Sequence, residues 1–73
     1  MDVQHLVTMS NQIGAFFDSM KNRNEALEQV ALHIKRFWEP RMRQALLQHF
    51  KEGGEGLLPI VADALKQHQD KLA

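Results

Sequence analysis

Serine, histidine, carboxylate and arginine side chains are the groups in this 73-residue chain that could carry chemistry. Nucleophilic catalysis needs a hydroxyl or thiol held beside a base. The chain has no cysteine, and its serines, Ser10 and Ser19, fall in a helical segment that lacks a glycine elbow. Paired-acid catalysis needs two carboxylates that converge, whereas the nine acids here are scattered along positions expected to face solvent. Four histidines raise the question of a metal. His49 and Glu52 are three residues apart, which could set two ligands on one helix face. No HExxH-type pair and no third ligand accompanies them, and a metal site needs at least three protein ligands. His49 and His68 lie on apolar faces and read as packed imidazoles with one hydrogen-bond partner, while His5 and His33 sit at the edges of apolar stripes. The sequence thus offers no catalytic, cofactor-binding or metal-ligating residue.

The arginines are the remaining chemistry. The string "HIKRFWEPRMR", His33 to Arg43, holds Lys35, Arg36, Arg41 and Arg43 beside the only tryptophan, Trp38. Two helices joined there could mimic a helix-turn-helix. Against that, the joint is Glu-Pro with almost no turn, and the following helix is apolar around Arg43, where a reading helix needs polar groups for base edges. Formal net charge is zero, whereas nucleic-acid and membrane-surface binders carry a basic excess. Guanidinium groups also suit phosphates, so Arg36, Arg41 and Arg43 could touch a phosphate-bearing ligand, but no pocket for one accompanies them. A purely structural reading puts Ile34, Phe37 and Trp38 in the core and the arginines in water. That reading leaves Arg43 and Leu47 unexplained on the third helix, Leu32 off the stripe of the second, and Gly14 as a small, approachable spot on the first. Apolar residues mixed with arginines match protein interfaces. The expected partner-binding residues are therefore Leu32, Arg36, Arg41, Arg43, Leu47 and Gly14.

The elements that must position these residues follow from periodicity. Apolar residues at three- and four-residue steps mark one face of a helix. Leu6, Met9, Ile13, Phe16, Phe17 and Met20 form such a stripe, with Asp2 as cap and "KNRN" as the end. Asn22 or Asn24 caps a second helix, Asn22 and Glu25 having capping-box spacing, with Leu27, Val30, Ala31, Ile34, Phe37 and Trp38 on its stripe. Pro40 cannot continue that helix and favours the first position of another, which predicts an abrupt Glu39-Pro40 corner. The third helix, Pro40 to about Lys51, turns Met42, Leu46, His49 and Phe50 one way, with Leu47 to one side. Gly53, Gly54 and Gly56 supply a stop and a turn, and Pro59 starts a last helix with Leu58, Val61, Ala64, Leu65, His68 and Leu72 on one face. The fold class is all-α: a small four-helix domain, residues 1–73, with a Glu-Pro corner between its second and third helices.

Size and composition add exclusions. A chain this short buries only about 60% of its unfolded surface, so oligomerisation or a larger partner is the natural source of added stability once disulfides are absent. No apolar run reaches the roughly 18 residues of a membrane span, and "MDVQHLV" has no signal-peptide h-region. The expectation is a cytoplasmic helical module that binds neither membrane nor nucleic acid.

Three blocks resemble a known family: "HLVTMSNQIGAFF" (His5 to Phe17), "HIKRFWEPRMRQALLQHF" (His33 to Phe50) and "GGEGLLPIVADAL" (Gly53 to Leu65). They are similar to the delta subunit of NAD-dependent, molybdenum- or tungsten-containing formate dehydrogenases. The middle block is the most specific, through Phe-Trp-acid-Pro-Arg-Met-Arg. Two departures are Ser10, where alanine is common, and Glu39, where aspartate is common; the longer acid should cap the third helix less well. The resemblance implies a non-catalytic accessory subunit of a cytoplasmic complex that oxidises formate. It implies molybdopterin, iron–sulfur clusters, FMN and NAD on other subunits and none on this chain. The implied partner is the alpha subunit, and the implied role is holoenzyme assembly, stability or molybdenum-cofactor insertion. The alternative is an independent homo-oligomeric interaction module that uses the same surface for self-association.

Overall fold

A computed structural model describes residues 2–73, and each of the four principal helices in it begins where a local signal requires. Helix α1 runs Val3–Phe17; the Asp2 carboxylate accepts the Gln4 N–H at 2.9 Å and satisfies one of the orphan donors of the first turn. Helix α2 spans Arg23–Phe37, and of its two candidate caps Asn22 does the work, accepting the Glu25 N–H at 3.0 Å. Trp38 and Glu39 are extended, as the residue before a proline must tend to be, and Pro40 opens α3, Pro40–Lys51. Glu39 makes no side-chain capping bond, which agrees with the expected weakness of the longer acid.

The glycine run closes α3 because Gly53, Gly54 and Gly56 all take positive φ, at 118°, 64° and 87°. Such angles are cheap only without a Cβ. His49 Nε2 lies 2.8 Å from the Glu55 carbonyl and holds this turn. Pro59 opens α4, Pro59–Gln67. The expected last helix does not run straight to Leu72: it breaks at His68 (φ −121°, ψ 29°), and a four-residue α5, Gln69–Leu72, turns Leu72 into the core beside α2 and α3. The architecture is four principal helices and one short terminal turn of helix, without strands among the described residues.

Helix α2 is central, packing on α1, α4 and α5, while α1 also meets α3 and α4. The core joins Leu6, Leu27, Val30, Ile34, Trp38, Leu46, Val61 and Leu65, with Ile60, which lies off the expected stripe of the last helix. Each fully buried side chain of this size stabilises by about 1.5–3 kcal/mol relative to exposure.

The buried face of α1 differs from its expected stripe. Leu6, Val7, Ser10 and Gly14 are the buried residues, about a quarter turn around the helix from the centre of the Leu6–Met20 stripe. The cause is α4. A Cβ on Gly14 would lie 2.7 Å from Val61 Cγ2 and 2.8 Å from Ile60 Cγ2, so the absent side chain admits the two β-branched residues of α4. Ser10 is fully buried on the same side, and its hydroxyl donates to the Val7 carbonyl at 3.0 Å. The departure from alanine there leaves no unsatisfied group.

Candidate partner-binding site

The rotation of α1 onto α4 leaves Phe16 largely uncovered. Phe16 is 76% exposed and Phe37, the last residue of α2, is 72% exposed, although both belong to expected core stripes. An amphipathic helix seals an apolar sector of roughly 100° against its neighbours. From Val7 to Phe16, α1 spreads apolar side chains across about 180° on the 3.6-residue repeat, so the sector facing α4 cannot also cover Phe16. That excess width was the signal available in the sequence.

These residues line an open groove of about 580 Å³ between α1, α2 and the start of α3. One wall is Met9, Ile13, Phe16 and Phe17 from α1; the other is His33 and Phe37 from α2. Trp38, buried, and Met42 of α3 close its base. The rings form a continuous chain: Phe16 meets Phe17 edge-on at 4.9 Å, Phe17 faces His33 at 6.5 Å, and His33 meets Phe37 at 4.7 Å. Edge-to-face spacing of this kind suits the opposite charges of ring edge and face. The lining residues with polar side-chain atoms are Gln12, His33 and Trp38.

Charge sharpens the asymmetry. Helix α1 contains no Asp, Glu, Lys or Arg in 15 residues, so its outer face carries Gln4, His5, Thr8, Gln12, Ala15 and Phe16. A soluble surface normally draws about a quarter to a third of its residues from the charged types. Around the Glu-Pro corner the balance reverses, with Lys35, Arg36, Arg41 and Arg43 against one acid, Glu39. None of the four has a carboxylate partner among the described residues; the ion pairs present join Arg23 to Asp18 and Asp63, and Lys71 to Glu28. Arg36 follows His33 by three residues, placing both on one helix face, and it immediately precedes Phe37. Arg41 immediately precedes Met42. Both arginines are exposed; neither belongs to the groove lining, but each is the chain neighbour of a residue that does, Phe37 or Met42.

Of the six residues expected to meet a partner, three have work inside this domain. Gly14 is buried under α4, as described above. Leu47 is only 7% exposed and belongs to the core, so it is not the lateral surface residue expected. Arg43 is half-buried, and its Nη1 donates to the Lys35 carbonyl at 3.0 Å. That carbonyl lies near the C-terminus of α2, where a cation is favoured by the helix dipole. Arg43 thereby ties α3 back onto α2 across the corner, with its Nε buried and without a hydrogen-bond partner. Leu32 is half-buried and lies outside the groove lining. Arg36 and Arg41 are free at the surface.

The residues that could have suggested catalysis or metal binding are engaged in structure. His49 holds the glycine turn, and Glu52 accepts a hydrogen bond from Gln48 Nε2 at 3.0 Å. Asn11, unremarked as a structural residue in the sequence, uses both ends of its amide. Its Nδ2 donates to the Gly56 carbonyl and its Oδ1 accepts the Leu58 N–H, each at 2.9 Å. These bonds fasten the glycine turn to α1, on the side away from α2. Among the described residues no three His, Asp or Glu side chains converge, and there is no thiolate for an iron–sulfur cluster. The donor set does not fit such a group.

Fold and groove together give a small all-helical module with an apolar face left unsealed. The family model for the NADH-dependent formate dehydrogenase delta subunit, FdsD, matches residues 5–65, and the chain belongs to that family. The matched span covers the α1–α4 body, the groove and the Glu-Pro corner. It makes this chain an accessory subunit type of a formate dehydrogenase complex. No curated protein and no solved structure matches it. Among the described residues no helix is long and apolar enough to cross a membrane.

Proposed function

We propose that this chain acts without chemistry of its own, by docking the alpha subunit of a cytoplasmic formate dehydrogenase through the α1–α2–α3 groove and stabilising the assembled holoenzyme. Molybdenum-cofactor insertion or retention is the step it assists, the cofactor itself residing on the alpha subunit and the clusters, FMN and NAD on other chains. The observation that carries the reading is the groove: two phenylalanines, each more than 70% exposed, on a domain whose sequence belongs to an accessory-subunit family.

The mechanism is mass action. A chain that binds only the folded, competent form of its partner stabilises that form by RT ln(1 + [L]/Kd), about 2.7 kcal/mol at a hundredfold excess over Kd. The effect is mutual, since the partner covers apolar surface that this small domain leaves open. Arg36 and Arg41 contribute orientation and encounter rate more than raw affinity.

The test is deletion of the subunit followed by purification of the remaining complex. The expected result is lower molybdenum content per alpha subunit and a smaller assembled fraction on sizing. A fully loaded, fully active enzyme lacking this chain would overturn the reading. Solution mass of the chain alone and with the alpha subunit separates it from a self-associating module, which gives the same homo-oligomer in both samples.

A further inference from the structure

The groove has an end with one sign of charge and a wall with none, and that combination limits what can lie in it. Its α1 wall is uncharged along its whole length, so apolar side chains can be covered there without stripping water from an ion. At its corner end the lining residues Phe37 and Met42 are each preceded in the chain by an exposed arginine, Arg36 and Arg41, neither paired with a carboxylate among the described residues. A small molecule fits poorly. Such ligands are held by enclosure and a few convergent polar groups, whereas this groove is open along one side and its polar side chains are few, Gln12, His33 and the indole of Trp38.

Resting on the reading that the groove is where the partner subunit docks, we propose that its occupant is a single amphipathic helix of that partner. The helix seats apolar side chains at three- and four-residue spacing between Phe16 and Phe37, and it carries aspartate or glutamate where it passes Arg36 and Arg41. A helix laid in an apolar groove is held by one stripe of anchors, and two rings standing on opposite walls mark the positions such anchors would occupy. Guanidinium groups take carboxylates through paired hydrogen bonds, which fixes the direction in which the helix lies.

A second copy of this chain does not supply such a helix. Its acids on helices, Glu25 and Glu28 on α2, Asp63 on α4 and Asp70 on α5, belong to elements whose apolar faces are already buried in the core. The face it does leave open is the groove itself, whose lining contains no acid.

The experiment uses the full chain and the purified alpha subunit as probe. A photo-crosslinking amino acid at Gln12 is activated in the reconstituted complex, and the joined segment is mapped by mass spectrometry. Cross-links confined to one helical stretch of the alpha subunit, with the predicted apolar spacing and at least two nearby acids, are expected. In parallel, the folded double variant Arg36→Glu, Arg41→Glu should bind at least tenfold more weakly at low salt. The gap between variant and parent should narrow as salt rises, because exposed charges are screened. Co-purification without any groove cross-link overturns this proposal and leaves the docking reading standing on another surface. Failure to co-purify overturns both. A cross-link to a second copy, to a non-helical segment or to a helix without acids, or charge reversal that leaves affinity unchanged, also overturns it.

Discussion

Two sides of one helix behave in opposite ways. Toward α4, α1 presents Ser10 and Gly14, and the backbones come close enough that Ile60 and Val61 occupy the space a Cβ would need. Toward the C-terminal end of α2, the same helix presents Met9, Ile13 and Phe16, and the gap stays open as a groove of about 580 Å³. The difference teaches that on α1 the small residues face a sealed contact and the large ones face an open one. Close approach captures dispersion and excludes water along the contact, whereas the rings of Phe16 and Phe37 at the rim stay largely in water. Stability is therefore concentrated on the α4 side, and binding capacity on the α2–α3 side.

The comparison can be broken by substitutions ranked on their cost in unfolding free energy. Gly14→Val should be the most damaging, at about 3 kcal/mol, because its methyl groups must displace two stiff β-branched neighbours. Urea denaturation measures it, and a loss below 1 kcal/mol would show that α1 and α4 are looser than their geometry implies. Asn11→Ala comes next, at about 1–2 kcal/mol, for losing two bonds to the glycine turn and leaving the Leu58 N–H unpaired. Hydrogen exchange should show the amides of 53–58 released first. Glu39→Ser should move stability the other way, by about 0.5–1 kcal/mol, since serine can supply the cap that the longer acid does not; an unchanged thermal midpoint would argue against it. Phe16→Ala should change stability least, within about 0.5 kcal/mol, because the ring is largely in water. Its effect should appear instead as a tenfold or greater loss of alpha-subunit affinity, about 1.4 kcal/mol. A variant that unfolds instead would place Phe16 among the groups that hold the fold together.

Much of the architecture follows from local rules. Asp2, Asn22, Pro40, the glycine run and Pro59 each act within a few residues of where they stand, so helix starts and the Glu-Pro corner were readable without the fold. His49 as a packed imidazole with one partner was readable for the same reason, from its place on an apolar face. The candidate site was not. Phe16, Phe37 and Met9 have the composition of core residues, and periodicity alone assigned them to it. Arg43 looked like a surface cation because a sequence does not reveal that the Lys35 carbonyl waits across the corner.

The sequence by itself determined the helical class, the starts of the four principal helices, the uncharged length of α1 and the basic corner, because these depend on residue type and on neighbours along the chain. Family membership rests there too. Only the tertiary structure decided which face of α1 is sealed, that Gly14 and Leu47 are interior, that the last helix breaks at His68, and that a groove remains beside Phe16 and Phe37. The physical reason is competition for burial. α1 has more apolar surface than one neighbour can cover, and which part is covered depends on where α4 finds no Cβ in its way.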